Sequence, residues 1–150
     1  MENKNNPHLQ QASNLNWTIL FICWLIVSIA TLGSLFFSEI MNFPPCDLCW
    51  YQRIFIYPLA IIIPIGLFPF DKGVIKYSLP LVFVGWSIAL YQNLLYYGII
   101  PESIKPCSQG VSCTEEYINI LGIISIPMLS LIAFSIVGVL LIVLMRRVST

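Results

Sequence analysis

Two cysteines three positions apart, Cys46 and Cys49, stand in the run Pro44-Pro45-Cys46-Asp47-Leu48-Cys49-Trp50-Tyr51-Gln52-Arg53. A C-x-x-C closes a very small ring, and its reacting species is the thiolate rather than the thiol. The two prolines stop any helix before Cys46. A helix beginning near Cys49 then puts that residue in its first turn, where the helix dipole and free backbone N–H groups favour a thiolate. Arg53 falls one helical turn later on the same face, and its permanent cation favours the thiolate further. The pattern is that of a reactive pair. A second pair stands in Cys107-Ser108-Gln109-Gly110-Val111-Ser112-Cys113. Its intervening residues, with Gly110 among them, are long enough to close a disulfide in a flexible loop, and an exposed disulfide of that kind exchanges readily.

Other chemistries fit some of the same residues. The four cysteines suit two structural bridges that pin loops on an oxidising side of a membrane. A Cys₄ zinc site suits the spacing of the first pair but not the second. Arg53 by itself reads as a snorkelling interface residue, and Trp50 and Tyr51 as an aromatic belt. Gln92 and Asn93 read either as interhelical hydrogen-bonding glue or as the lining of a polar pocket. Cys23 lies within an apolar run and acts as a small hydrophobe. His8 is a solvated tail residue.

The elements that must position these groups follow from composition. Of 150 residues 58% are hydrophobic and 9% charged, with seven basic and seven acidic side chains and a net charge of zero, against about a quarter charged in a soluble domain. That composition excludes a soluble globular enzyme, a disordered chain and a secreted disulfide knot, and the zero net charge leaves no basic surplus for nucleic acid. Four windows, Trp17–Ser38, Ile54–Phe70, Tyr77–Pro101 and Tyr117–Met145, carry no Asp, Glu, Lys, Arg or His. A span needs about 20 apolar residues, and backbone in lipid must satisfy itself, so the windows are helices. The expected fold is an all-α membrane protein, a single domain over 1–150. It is a four-transmembrane-helix bundle with helices at about 17–38, 50–70, 77–100 and 119–145. Loops at about 39–49 and 101–118 join them on one side. Five of the seven basic residues, Lys4, Lys72, Lys76, Arg146 and Arg147, lie in the tails and the short middle loop. The positive-inside rule puts both termini in the cytoplasm and both cysteine loops on the extracytoplasmic side.

The chain resembles the DsbB/BdbC family of membrane disulfide oxidoreductases over nearly its whole length. The string Cys46-x-x-Cys49-x-Tyr51-x-Arg53 looks like the family's signature. The second pair follows in order and place, and Leu121-Gly122 before Pro127 resembles the approach to its fourth helix. The short Cys107–Cys113 spacing resembles the BdbC branch. The resemblance implies a bacterial cell-membrane enzyme that reoxidises an extracytoplasmic thioredoxin-fold disulfide donor (DsbA/BdbD-like) and passes electrons to a membrane quinone, menaquinone or ubiquinone. It implies redox-active disulfides Cys46–Cys49 and Cys107–Cys113, with Cys107 attacked by the donor, an interloop Cys46–Cys113 relay, and Arg53 beside the Cys49 thiolate and the quinone. Some family members add a histidine at the quinone, but the only histidine here is His8, on the opposite side by the charge rule.

Two other functions remain open to the sequence. A quinone-linked reductase of the vitamin K epoxide reductase type also pairs a C-x-x-C with a helical bundle, but there the loop pair precedes the C-x-x-C, the reverse of the order here. A non-enzymatic subunit would use the disulfides only as staples, and they would then resist mild reductant.

Overall fold

The computed structural model describes residues 7–42, 45–68, 70–99 and 126–149. Helix α1 spans Pro7–Leu35 and continues as one π-helical turn, Phe36–Ile40. Helix α2 spans Asp47–Leu67, α3 Gly73–Tyr96 and α4 Ile126–Ser149. No strand occurs among the described residues. Helix α1 begins ten positions ahead of the first apolar window, because Pro7 suits a first helical turn and the polar stretch after it continues the same helix. The expected 119–125 portion of the fourth helix and the 101–118 loop lie outside the described residues. All four helices are long and apolar enough to cross a membrane; the shortest, α2, has 21 residues and reaches about 31 Å at 1.5 Å per residue.

The helices close a ring, each packed on its chain neighbours and α1 on α4. Three contacts along α1 and α2 run in opposite order and fix them as antiparallel: Ser34 with Arg53, Trp24 with Ala60, and Trp17 with Phe68. Gln92 meets Cys46 at one end of the α2–α3 pair, and Gly66 meets Val74 at the other. Asn93 with Pro127 and Trp86 with Ser135 order α3 against α4.

Proline and glycine set the close contacts. Pro64 has no N–H, so the carbonyl four residues earlier, Ala60, loses its helical donor. The Trp24 indole N–H reaches across from α1 and supplies one at 3.3 Å, which is how a proline is tolerated inside a membrane helix. Gly66 and Gly85 mark the tightest approaches. A methyl on Gly66 would lie 2.6 Å from Val74 Cγ1, and one on Gly85 2.5 Å from Phe134 Cζ.

The surface is apolar and part of the interior is polar. Ile29, Leu32, Ile61, Ile65, Phe83 and Val139 are each at least 60% exposed, whereas Gln52, Arg53, Ser78, Gln92 and Asn93 are buried. That distribution suits a hydrocarbon solvent, where a polar group is stable only against another polar group. Four of these five polar residues gather at the end of the bundle where α2 begins.

Candidate active site

Cys46 is the N-cap of α2, with extended backbone (φ −70°, ψ 163°), and its sulfur accepts the Cys49 backbone N–H at 3.3 Å. A cap oxygen ordinarily takes that role; here a sulfur takes it. Asp47 in the first turn matches the positive end of the helix dipole. Cys46 is buried, Cys49 is half-buried, and neither is disulfide-bonded in this structure.

Helix α3 contributes the group that joins the two sulfurs. Gln92 Nε2 donates to Cys46 Sγ at 3.3 Å and to Cys49 Sγ at 3.4 Å. Its Oε1 accepts a hydrogen bond from Gln52 Nε2 at 2.5 Å. Both sulfurs therefore face one amide nitrogen, and a second glutamine takes the oxygen of that amide. The Cys46 thiol is pushed up from its ordinary value, first by its hydrogen bond to the Cys49 sulfur, then by burial and by charge on that sulfur.

Arg53 is buried and lines the same cavity as Cys49, as its spacing along α2 requires. Its Nε donates to Ser34 Oγ at 2.8 Å and its Nη2 to the Ser34 carbonyl at 2.9 Å. The guanidinium carbon lies 5.4 Å from the Trp50 ring centroid, within cation–π range. The π-helical turn follows Ser34 after one residue, and such turns recur at functional sites. Two of the five guanidinium N–H donors are thus anchored on α1. Among the described residues no carboxylate pairs with Arg53, and its partners are neutral.

These groups form the polar end of a cavity of about 540 Å³. Its walls come from α1, α2 and α4, with Ile26, Ile29, Ile56, Ile132 and Phe134 at the apolar part, and Gln92 alone from α3. That volume falls in the usual range for a small-molecule site, as does an apolar lining with a few convergent polar groups.

Cys46, Cys49, Arg53 and Gln92 are thus brought together. Asn93, next to Gln92, faces α4 instead: its Nδ2 donates to the Ala89 and Pro127 carbonyls, each at 2.8 Å, as interhelical glue. Cys107 and Cys113 lie outside the described residues. Cys23 is fully buried in the apolar core. Two site residues are not singled out by the sequence reading. Gln52 carried a signal, since it lies three residues after Cys49 and so on the same helix face. Ser34 carried only a weak one, a hydroxyl inside an apolar span.

Chemically, this is a dithiol at the mouth of a helix, served by neutral donors and a fixed cation, at one end of an apolar cavity. It is suited to a two-electron dithiol–disulfide couple. The model of the family described as disulfide bond formation protein DsbB matches residues 16–144. The disulfide bond formation protein C of Bacillus subtilis (strain 168) is 49% identical over 115 residues, 77% of this chain and 83% of its own. A probable disulfide formation protein of Metapseudomonas resinovorans is 41% identical over 138 residues, 91% of this chain and 96% of its own. No solved structure matches. Matched from its first helix into its fourth and nearly half identical with such relatives, the chain belongs to the DsbB family and is a membrane disulfide oxidoreductase.

Proposed function

We propose that this oxidoreductase works in the oxidising direction, reoxidising an extracytoplasmic thioredoxin-fold donor and delivering the electrons to a membrane quinone. The observation that carries the reading is the placement of both sulfurs of the C-x-x-C at the polar end of an apolar cavity walled by membrane helices. In the proposed sequence the donor's thiolate attacks Cys107 of a Cys107–Cys113 disulfide and forms a mixed disulfide. The donor's second thiol resolves it, leaving with its own disulfide, and Cys107 and Cys113 are reduced. The Cys113 thiolate then attacks Cys46 of the Cys46–Cys49 disulfide. A Cys46–Cys113 bond forms and the electron pair of the broken S–S bond stays on Cys49. The Cys107 thiolate attacks Cys113 next, which restores the outer disulfide and leaves Cys46 and Cys49 reduced.

The cavity fits a quinone by the chemistry of its lining. The apolar walls suit a ring and an isoprenoid tail, and Arg53 and Gln92 supply hydrogen-bond donors for ring oxygens. A bound quinone would supply a two-electron, two-proton sink. Arg53, clamped to Ser34, holds positive charge at the wall that Cys49 shares, and Gln92 presents a donor to both sulfurs of the reduced pair. A strongly oxidising donor couple lies near about −120 mV, and about 30 mV corresponds to ~1.4 kcal/mol for two electrons, so a strong sink is required. The charge pattern of the loops supports cytoplasmic termini with both cysteine loops outside, and the Bacillus relatives support a bacterial cell membrane.

The test is quinone reduction by the purified protein in detergent on addition of a reduced thioredoxin-fold donor, read as loss of quinone absorbance. Loss is expected in the wild type and none in Cys49→Ala. Persistence of the loss in Cys49→Ala, or its absence in the wild type with both ubiquinone and menaquinone, overturns the proposal.

A further inference from the structure

We propose that Gln52 and Gln92 form an amide relay that sets the oxidising power of the Cys46–Cys49 pair, Gln92 acting on the sulfurs and Gln52 acting through Gln92. The proposal rests on the reading of Cys46–Cys49 as a redox couple. Four observations carry it. The Gln92 side chain is the only α3 group in the cavity wall. Its Nε2 donates to both sulfurs. Its Oε1 is taken by Gln52. Both glutamines are buried, at 7% and 3% exposed, where an unsatisfied amide is costly.

An amide has a donor end and an acceptor end. Turned by half a revolution, Gln92 would present oxygen to the sulfurs and repel negative charge there. The hydrogen bond from Gln52 Nε2 holds the oxygen away and so keeps the NH₂ on the sulfurs. A disulfide sulfur is a poor acceptor, whereas a thiolate is a good one, since hydrogen bonds to charged groups are the strong ones. The relay therefore stabilises the reduced pair more than the oxidised pair. It makes the Cys46–Cys49 disulfide readier to take electrons from another disulfide. Gln92 is a catalytic residue in that it touches the reacting atoms; Gln52 is a positioning residue.

The readout is the equilibrium between the pair and a reference thiol–disulfide couple, independent of any quinone. The full-length protein in detergent is equilibrated with glutathione in mixed reduced and oxidised forms. In this exchange the protein S–S bond breaks, two glutathione thiols join in an S–S bond, and two electrons with two protons pass to Cys46 and Cys49. Alkylation and mass spectrometry of the peptide holding both residues then give the reduced fraction, apart from Cys107 and Cys113. Gln92→Leu is expected to lower the equilibrium constant for reduction about tenfold, which is about 30 mV toward a more reducing couple. Gln52→Leu is expected to shift it in the same direction by less. The double variant is expected to match Gln92→Leu alone, since Gln52 has nothing to orient once Gln92 is gone; such non-additivity identifies residues acting as a unit. An unchanged constant in both Gln92→Leu and Gln52→Leu overturns the relay, as does a double variant in which the two shifts simply add. A wild-type pair that never interconverts overturns the redox reading itself, and the relay with it. Should Gln92→Leu fail to fold, the Gln52→Leu shift decides, because that variant leaves Gln92 in place: a shift supports the relay and none overturns it.

Discussion

Replacing Gly85 with Ala tests whether the depth of the cavity is set from the far side of its wall. The added methyl would lie 2.5 Å from Phe134 Cζ, with Cε1 closer still, whereas carbon atoms rest at about 3.5–4.0 Å. The ring must therefore move by at least about 1 Å to regain that spacing. Phe134 is 3% exposed, so most directions are closed by packed atoms; the direction with free space is the cavity that it lines. Overpacking of this kind costs about 1–3 kcal/mol, and for a chain of this size that lowers the unfolding midpoint by about 2–12 °C. The intrusion falls at the apolar part of the cavity, away from Cys46, Cys49 and Gln92. The expected kinetic outcome is a split: KM for a quinone with an isoprenoid tail rises about fivefold or more, while thiol exchange with the donor stays at the wild-type rate. Unfolding midpoint, quinone KM and donor exchange are measured on the same preparation. A lower midpoint with an unchanged KM means that α3 and α4 part instead of the ring turning, and refutes the reasoning about the cavity. No change in either refutes the close contact itself.

Two further predictions follow from other contacts. Arg53→Lys keeps the charge but loses the fork that holds both the Ser34 hydroxyl and the Ser34 carbonyl, a substitution that is not conservative at such a site. At about 1.5–3 kcal/mol for a charged hydrogen bond, kcat/KM for quinone should fall about tenfold to a hundredfold in steady-state assay; a value within twofold of wild type refutes the role of the fork. Trp24→Phe should cost about 1 kcal/mol by removing the donor to the Ala60 carbonyl. The same change in a Pro64→Ala background should cost clearly less, because alanine at that position restores the helical N–H; equal costs in a thermal-unfolding double-mutant cycle refute the compensation.

Much of the scaffold is legible because hydrocarbon is an unforgiving solvent. Charge-free windows mark the helices, and the structure adds only their ends, where cap chemistry decides. Pro44-Pro45 ahead of Cys46 leads to α2 starting at Asp47 with Cys46 as its cap. The face shared by Cys49 and Arg53 is likewise readable from helical spacing. What the guanidinium touches is not, because its partner Ser34 comes from α1, and its carbonyl, a backbone group, has no letter of its own. Gln92 and Asn93 show the limit clearly. Adjacent polar residues on one helix differ by about 100° in direction, so one meets the sulfurs and its neighbour meets α4. Which does which depends on how α3 is rotated in the ring, and this is set by such contacts as Gly85 against Phe134. Gln52 becomes meaningful only once Gln92 is across from it.

The neutral anchoring of Arg53 has a consequence for which molecules the cavity prefers. A cation balanced by a carboxylate is electrically quiet, but one whose partners among the described residues are a serine and an indole ring keeps its field. At an effective dielectric of about 20, a unit negative charge 4 Å away gains about 4 kcal/mol. Buried in the wall between α1 and α2, that field is little screened by salt. The site should therefore rank occupants by ionisation before shape: ring compounds with an acidic hydroxyl should bind as their anions, more tightly than neutral isosteres with the same tail. Inhibitors of this enzyme are best sought among weak acids.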